Sequence, residues 1–166
     1  MILDVIKRNL ERQKKNNWYE SYWAFDLHGT VIRPNHIRGI HNIEFYPYAV
    51  ECLQMISARE DIRMILSTSS YPEEIQNYLE QLNERKIYFD YLNQNPEIHS
   101  YEDFGYYYSK FYFDVMFEDK CGFDPETEWN QIYNFLMSKD FKPIDKIYKN
   151  SKRDRVKIFL LNDDKL

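Results

Sequence analysis

A carboxylate and an imidazole stand at the end of an apolar segment, directly before a tight turn. Residues 22–25 are apolar, and they are followed by Asp26, His28, Gly29 and Thr30. An apolar run bounded by polar residues and a glycine turn predicts a buried strand, and open α/β sheets bind ligands at the carboxyl ends of their strands. Asp26 is therefore a candidate nucleophile. The alternative is an aspartate that caps the turn after a core strand, and this segment alone does not separate the two.

Two more segments carry chemistry that complements a carboxylate nucleophile. A predicted strand over 62–66 is followed by Ser67 and Thr68, and Lys110 precedes an apolar and aromatic segment that leads to the acid Asp119. Phosphoryl transfer needs a nucleophile, a cation that offsets the negative charge, and donors for the phosphate oxygens. Together the segments supply one group for each of these needs.

In this order the segments resemble the motifs of the haloacid dehalogenase (HAD) superfamily, most of whose members are magnesium-dependent phosphatases. The resemblance covers the chain from about residue 22 to about residue 136. It implies that Asp26 forms an aspartyl-phosphate that water hydrolyses, and that Lys110 adds positive charge beside the nucleophile and the transferring group. The substrate-binding residues that it implies are Ser67, Thr68, Gly29 and Thr30.

The resemblance also implies a magnesium site. Its ligands would be the Asp26 carboxylate, the main-chain carbonyl of His28, Asp119 and water molecules, which suits a hard cation that keeps several of its waters. Glu118 and Asp124 would act through water or through hydrogen bonds to the ligands. Taken without the other motifs, these last acids are typical of a polar turn before a helix.

His28 is a departure from the HAD pattern. HAD phosphatases usually have a second Asp two residues after the nucleophile, which protonates the leaving group and then activates water. An imidazole can serve both steps because its ordinary pKa is about 6.5, but a neighbouring dication would lower that pKa. The chain is then a phosphatase that uses His28, a slow one that accumulates aspartyl-phosphate, or a catalytically weak binding or regulatory protein.

Two further alternatives follow from the same position. Superfamily members without the second Asp include dehalogenases and phosphonate-cleaving enzymes, although Lys110 and Asp119 favour phosphate with metal. The motifs could also be coincidental in an unrelated α/β domain.

Loop and aromatic residues outside the motifs are weaker candidates. His36 and His41 could contact substrate or a metal, and Arg33 and Arg38 could reach a phosphate, but solvated loop positions explain all four. The cluster Tyr106–Tyr108 could form an aromatic wall for a nucleobase or pack against the next strand.

The elements that must position these residues alternate between strands and helices. The predicted helices are 2–15, one from Pro47 to Arg59, one starting near Pro72, and 126–137; the further predicted strands are 62–66, 87–92, 111–117 and 156–161. This alternation predicts a parallel sheet with right-handed crossovers.

With the resemblance, the expected fold is an α/β HAD-like Rossmannoid three-layer α/β/α sandwich without a large cap domain. The single domain 1–166 would comprise an N-terminal helix (1–16), the motif-bearing core (20–137) and a C-terminal strand and tail (138–166). A capless site implies a protruding substrate or a partner subunit that closes the pocket.

Composition narrows the function classes. A net charge of −5 over 166 residues argues against a general affinity for the nucleic-acid backbone. The two cysteines are far apart and lack metal-ligand spacing, so neither a disulfide framework nor a zinc site is indicated. With no apolar leader or span near Met1, we expect a cytoplasmic protein that does not cross a membrane. The expected partner is a phosphorylated small molecule or a nucleic-acid end, and a homo-oligomer is left open.

Overall fold

The computed structural model of the protein describes residues 1–34, 43–99, 101–102, 105–138 and 141. The helices are α1 (Ile2–Asn16), α2 (Ala49–Ser57), α3 (Pro72–Glu84) and α4 (Glu128–Leu136). The strands are β1 (Ser21–Asp26), β2 (Ile62–Ser67), β3 (Tyr91–Leu92), β4 (Tyr101–Glu102), β5 (Gly105–Tyr106) and β6 (Val115–Phe117). The predicted strand 156–161 and the candidates His36, Arg38 and His41 lie outside the described residues.

Four strands form one parallel sheet in the order β3-β2-β1-β6, and β4 and β5 form a separate antiparallel pair. The central strand β1 is buried along nearly its whole length, as the continuous apolar run predicts for a parallel strand covered on both faces. Because the strands are parallel, the residues that follow β1, β2 and β6 meet at one edge of the sheet. The predicted α/β fold with a mainly parallel sheet is confirmed.

One face of the sheet packs against the four helices through an aromatic stack. Phe25 and Phe117 lie parallel with ring centroids 4.3 Å apart, and Trp129 of α4 stacks on Phe117 at 5.6 Å. Trp23, Phe117 and Trp129 are fully buried. Burial of such large rings contributes several kcal/mol each, so this stack fixes β1, β6 and α4 relative to one another.

The opposite face is covered in a different way. Its buried residues Tyr22, Ala24 and Ile65 contact a group of partly buried side chains, most of them aromatic. These side chains are Tyr91, Ile98, Phe111, Tyr112, Phe113 and Met116. In the part of the chain that the structure describes, this second layer is thus irregular and aromatic rather than helical.

Two predicted strands are shorter than the sequence indicates. The prediction 87–92 is wrong over its first half, because the N–H and carbonyl of Tyr88 both bond to the Ser57 hydroxyl instead of a strand. Next along the chain, the Asp90 carboxylate accepts the Met64 N–H, which delays strand pairing to residue 91.

The prediction 111–117 is confirmed over 115–117 and wrong over 111–114, for the same kind of reason. The Asp114 carboxylate accepts the Tyr22 N–H at 2.9 Å, and the Asp114 N–H donates to the Tyr22 carbonyl at 2.7 Å. This side-chain contact takes the place of a ladder hydrogen bond, and β6 therefore begins at residue 115.

The intervals between the motif strands hold α2 and α3, and the described residues there form no cap domain. Among the described helices, none has both the length and the apolarity that a membrane crossing requires.

Candidate active site

Three acids converge at the carboxyl edge of the sheet. Asp26 ends β1, while Glu118 and Asp119 follow β6, and each offers an oxygen that lies within 4.8 Å of the others. The register explains this convergence, because Phe25 is opposite Phe117 in the neighbouring strands and the next residues are therefore adjacent. We call Asp26, Glu118 and Asp119 the acid cluster.

The turn after β1 brings Asp119 close to the end of β1. Gly29 has φ +88°, and a Cβ on it would lie 2.8 Å from Oδ2 of Asp119, so any side chain here would displace that carboxylate. Its N–H donates to the Ile32 carbonyl at 2.8 Å. Gly29 was predicted to bind substrate, but the structure gives its N–H an internal partner and makes the residue a spacer for Asp119.

Thr30 is a buried residue that supports the acid cluster through hydrogen bonds. Its hydroxyl accepts the Asp119 N–H at 3.0 Å, and hydrogen bonding from the same hydroxyl lowers the pKa of the Asp26 carboxyl. Its carbonyl accepts the indole N–H of Trp129 at 2.8 Å. Because Thr30 is fully buried, its hydroxyl positions the two acids, and the predicted contact with substrate is not what the geometry provides.

Two oxygens of the acid cluster have no hydrogen-bond partner although they are buried. These are Oδ2 of Asp26 and Oδ1 of Asp119, and the nearest cation to the latter is the Lys120 ammonium at 3.7 Å. A buried carboxylate oxygen without a partner is unfavourable, whereas a cation between the two acids would satisfy both. Three carboxylates form the hard oxygen donor set that suits Mg²⁺, so the residues present fit the predicted metal.

The electrostatics of the acid cluster also favour a bound cation. Burial raises the pKa of the Asp26 carboxyl, and the negative charge of Asp119 adds to the rise, while Lys120 opposes it. Burial and then the negative charge of Asp26 raise the pKa of Glu118. The acid cluster is therefore short of positive charge, and a bound dication would lower both pKa values.

The cation beside the acid cluster is Lys120. Its ammonium lies 3.7 Å from both Glu118 Oε1 and Asp119 Oδ1. Its pKa is raised by the charges of Asp119, Glu118 and Asp26, in that order. Sequence reasoning passed over this residue because the HAD pattern directs attention to a lysine upstream of the strand. Its position directly after two acids was the available signal.

Lys110, the predicted catalytic lysine, is elsewhere. It is exposed, its ammonium lies 5.3 Å from the centroid of the Phe113 ring, and it lines a cleft on the aromatic side of the sheet. It forms no ion pair with a carboxylate in the described part of the chain. The expected position beside Asp26 is wrong because residues 111–114 do not extend β6, so Lys110 is not aligned with the end of that strand.

His28 faces the start of α3. Its Nε2 is 3.2 Å from the Tyr78 hydroxyl, its Nδ1 is 3.5 Å from the Ser70 hydroxyl, and its ring packs edge-on against Tyr78. The side chain is half-buried. These contacts fix the imidazole ring. The ring therefore lies at the rim of the acid cluster rather than within it, although His28 is only two residues after Asp26.

Ser67 and Thr68 lie at the end of β2 and differ in their contacts. Ser67 is directly opposite Asp26 in the parallel register and is half-buried. Thr68 is tied to the segment after β3, because its N–H donates to Asn93 Oδ1 at 2.8 Å and its carbonyl accepts from Asn93 Nδ2 at 2.7 Å. Ser67 is therefore the hydroxyl next to Asp26, and Thr68 fixes the adjacent strand ends.

Two other candidates have structural partners. Arg33 pairs with Glu126 at 2.6 Å and with Glu44 at 2.9 Å, so its guanidinium is engaged by glutamates that do not belong to the acid cluster. Asp124 accepts the Thr127 hydroxyl at 2.6 Å and the Glu126 N–H at 3.1 Å, which organises the turn before α4. Asp124 thus has the turn role that the sequence offered as its alternative.

Comparisons with known proteins bear on the fold. No protein-family model matches the sequence, and no curated protein matches it. The chain is similar to a solved structure described as that of a conserved protein coded by a locus of Bacteroides thetaiotaomicron, with 25% identity and a TM-score of 0.53; the match covers 79% of this chain and 99% of that one. The chain shares with it a Rossmann-like α/β sandwich built on a parallel sheet.

Proposed function

We propose that the protein is a magnesium-dependent phosphohydrolase of the HAD type, with Asp26 as its nucleophile. The observation that carries the proposal is the pair of buried oxygens without a hydrogen-bond partner, Asp26 Oδ2 and Asp119 Oδ1, at the carboxyl edge of a parallel sheet. Glu118 completes a set of three oxygen ligands with them. A phosphorylated small molecule or a nucleic-acid end would be the substrate.

The residues divide the reaction into two steps. In the first, a carboxylate oxygen of Asp26 attacks phosphorus, the bond to the leaving oxygen breaks, and His28 gives that oxygen a proton. In the second, His28 takes a proton from water, which attacks the aspartyl-phosphate and releases phosphate and free Asp26. The second transfer gives His28 back the proton that it lost in the first, so the cycle is balanced.

Charge and hydrogen bonding around the phosphate come from other groups. Ser67, beside Asp26 in the register, would donate its hydroxyl to a phosphate oxygen. Lys120 would supply positive charge at the rim of the acid cluster. Bound Mg²⁺ would offset the repulsion between the nucleophile and the phosphate.

A second candidate function is a catalytically weak binding or regulatory protein with the same site. The contacts of His28 with Tyr78 and Ser70 favour it, because an imidazole held by these partners must release one of them to reach a leaving group. Such a protein would bind the metal and the phosphate without rapid turnover.

Phosphate release tests the proposal. A panel of nucleotides, sugar phosphates and 3′-phosphorylated oligonucleotides is assayed with Mg²⁺ or with EDTA, for the parent, Asp26→Asn and the matched control Asp124→Asn. Metal-dependent release that Asp26→Asn abolishes and Asp124→Asn retains supports the phosphohydrolase. Release unaffected by Asp26→Asn contradicts it.

Binding of a phosphate mimic separates the two candidates. Mg²⁺ with beryllofluoride should raise the unfolding temperature of both, since both keep the site. The weak protein shows this rise without release, and His28→Asp should then give it turnover.

A further inference from the structure

A cleft of about 220 Å³ lies on the aromatic face of the sheet, and Asn93, which follows β3, is its end nearest the carboxyl edge. Its lining includes Asn93, Gln94, Ile98, Tyr107, Tyr108 and Lys110. Asn93 connects the cleft to the active edge, because it bonds twice to Thr68, the residue after Ser67. Two strand spacings of about 4.8 Å separate β3 from β1, so the start of the cleft is about 10 Å from Asp26.

The walls of the cleft are held in place by groups that are already bonded. Asn95 donates to the Tyr112 carbonyl at 3.0 Å, which joins the segment after β3 to the segment before β6. Tyr107 packs edge-on against Tyr112 with centroids 5.6 Å apart. Because the Asn95 hydrogen bond joins one wall to the other and the Tyr107 contact stiffens the second wall, the cleft is preformed.

Other polar groups of the cleft are not engaged by hydrogen bonds or ion pairs in the described residues. These are the Gln94 amide and the Lys110 ammonium, of which the latter lies over the Phe113 ring. Both residues are exposed. The cleft therefore presents an amide, which can donate and accept, and a positive charge to a ligand.

An exposed aromatic platform stands at the rim. Tyr106 and Tyr108 stack at 5.4 Å and 22° between planes, with 64% and 74% of their surfaces exposed. Large exposed aromatic faces are typical of recognition surfaces, and a base stacks on such a face whatever its identity.

We propose that this cleft binds the nucleoside part of the phosphorylated substrate, with the base on Tyr108 and its polar edge at Gln94. This inference rests on the proposed function, since the phosphate of the same molecule would be at Asp26. The substrate would extend from Asp26 past Asn93, the near end of the cleft, to Tyr108. A volume of about 220 Å³ accommodates one base rather than several.

The nucleoside can come from a free mononucleotide or from the end of a single strand. The net charge of −5 disfavours extended backbone contacts. Lys110 would meet one neighbouring phosphate at most.

Binding of two ligands that differ only in the base tests the inference. Adenosine 5′-monophosphate and ribose 5-phosphate are titrated calorimetrically in Mg²⁺ against Asp26→Asn, which does not consume them. Adding Tyr108→Ala should weaken nucleotide binding about tenfold more than sugar-phosphate binding, as expected for the loss of one stacked base. Tyr19→Ala, an exposed tyrosine just before β1 at the opposite edge of the sheet, is the control and should change neither.

Equal losses for the two ligands with Tyr108→Ala, or no loss, would overturn the inference. Gln94→Ala provides a second check that removes no ring, and it should alter the preference among the four nucleoside monophosphates. If this preference does not change and Tyr108→Ala does not weaken nucleotide binding, the cleft is rejected. A 3′-phosphorylated oligonucleotide that binds more tightly than the mononucleotide, and loses this advantage in Lys110→Ala, identifies a strand end as the source.

The two proposals fail separately. If the nucleotide binds with the expected dependence on Tyr108 but the parent releases no phosphate, the cleft remains and the reaction is rejected. If the parent hydrolyses phosphates but does not distinguish the nucleotide from ribose 5-phosphate, the reaction remains and the cleft is rejected.

Discussion

Asp119 packs against Gly29 so closely that a Cβ on Gly29 would lie 2.8 Å from Asp119 Oδ2. The glycine has φ +88°, a conformation that L side chains rarely adopt. Two independent reasons therefore require glycine at this position. One is the path of the backbone, and the other is the space that the acid occupies.

Gly29→Ala should destabilise the fold and weaken metal binding together. The left-handed backbone costs about 1 to 3 kcal/mol in a non-glycine residue, and the displaced Asp119 would lose its place in the acid cluster. Urea unfolding with EDTA and with Mg²⁺ measures both effects. Gly122→Ala is the matched control, because Gly122 also has positive φ but a Cβ there meets nothing within 4 Å. It should lower stability alone, and an equal loss of metal binding in both variants would contradict the role of Gly29.

Lys120→Ala should reduce turnover more than Lys110→Ala. The Lys120 ammonium is 3.7 Å from two acids, and its charge lowers the pKa of Asp26, whereas Lys110 lies over Phe113. We expect kcat to fall about 10- to 100-fold for Lys120→Ala, in line with the loss of one charge near a transferring group. Steady-state kinetics with ribose 5-phosphate give the comparison, and Lys14→Ala at the end of α1 is the control. The reverse ranking would restore the sequence prediction for Lys110.

The stability of the metal-free protein should fall as pH rises through the acidic range. The pKa values of Asp26 and Glu118 are raised in the folded protein, so the folded state holds protons that the unfolded state has already released. The free energy of unfolding therefore decreases between the ordinary carboxyl pKa of about 4 and the raised values. Urea unfolding in EDTA from pH 3.5 to 8 measures this. Asp26→Asn should flatten the curve, and a parent curve that rises throughout this window would contradict the raised pKa values.

Metal binding to the same acids should release protons. Mg²⁺ needs ionised ligands, so its affinity is expected to increase with pH across the range in which Asp26 and Glu118 titrate. Calorimetry in buffers of different ionisation enthalpy counts the protons released. The Asp124→Asn control should release as many protons as the parent, since Asp124 lies in the turn before α4. Binding without proton release below neutral pH would contradict this prediction.

The sequence was sufficient for the elements that repeat a simple pattern. The strands β1 and β2 were predicted closely because β1 contains a continuous apolar run and that of β2 is interrupted only by Arg63, and parallel pairing then places Asp26 beside Ser67. The acid cluster follows from the same logic, because β6 is the other neighbour of β1.

The strand predictions failed where a side-chain carboxylate takes the place of a backbone hydrogen-bond acceptor. Asp90 and Asp114 each accept an N–H from the adjacent strand, and the alternation of apolar residues gives no sign that a carboxylate will do so. The displacement of Lys110 depends on the same contact, because Asp114 ends the segment that was expected to extend β6. The role proposed for Lys120 was missed because a charged residue after a strand is ordinarily solvated, although Lys120 directly follows Glu118 and Asp119 in the sequence.

His28→Ala should distinguish an acid that protonates the leaving group from a residue that only packs. A poor leaving group such as a sugar or nucleoside hydroxyl needs the proton, and general acid catalysis contributes about 10²- to 10⁴-fold. p-Nitrophenol leaves readily without it. The expected result is a large loss of kcat with ribose 5-phosphate and a much smaller loss with p-nitrophenyl phosphate.

Tyr78→Phe is the control for this test, because it retains the ring that packs against His28 and removes the hydroxyl that lies 3.2 Å from Nε2. If His28 must leave Tyr78 to reach the leaving oxygen, this variant should keep or increase turnover with the poor leaving group. Equal losses for both substrates in His28→Ala would instead make His28 a packing residue. That result would favour the catalytically weak protein, since the described acid cluster would then lack a proton donor for the leaving group.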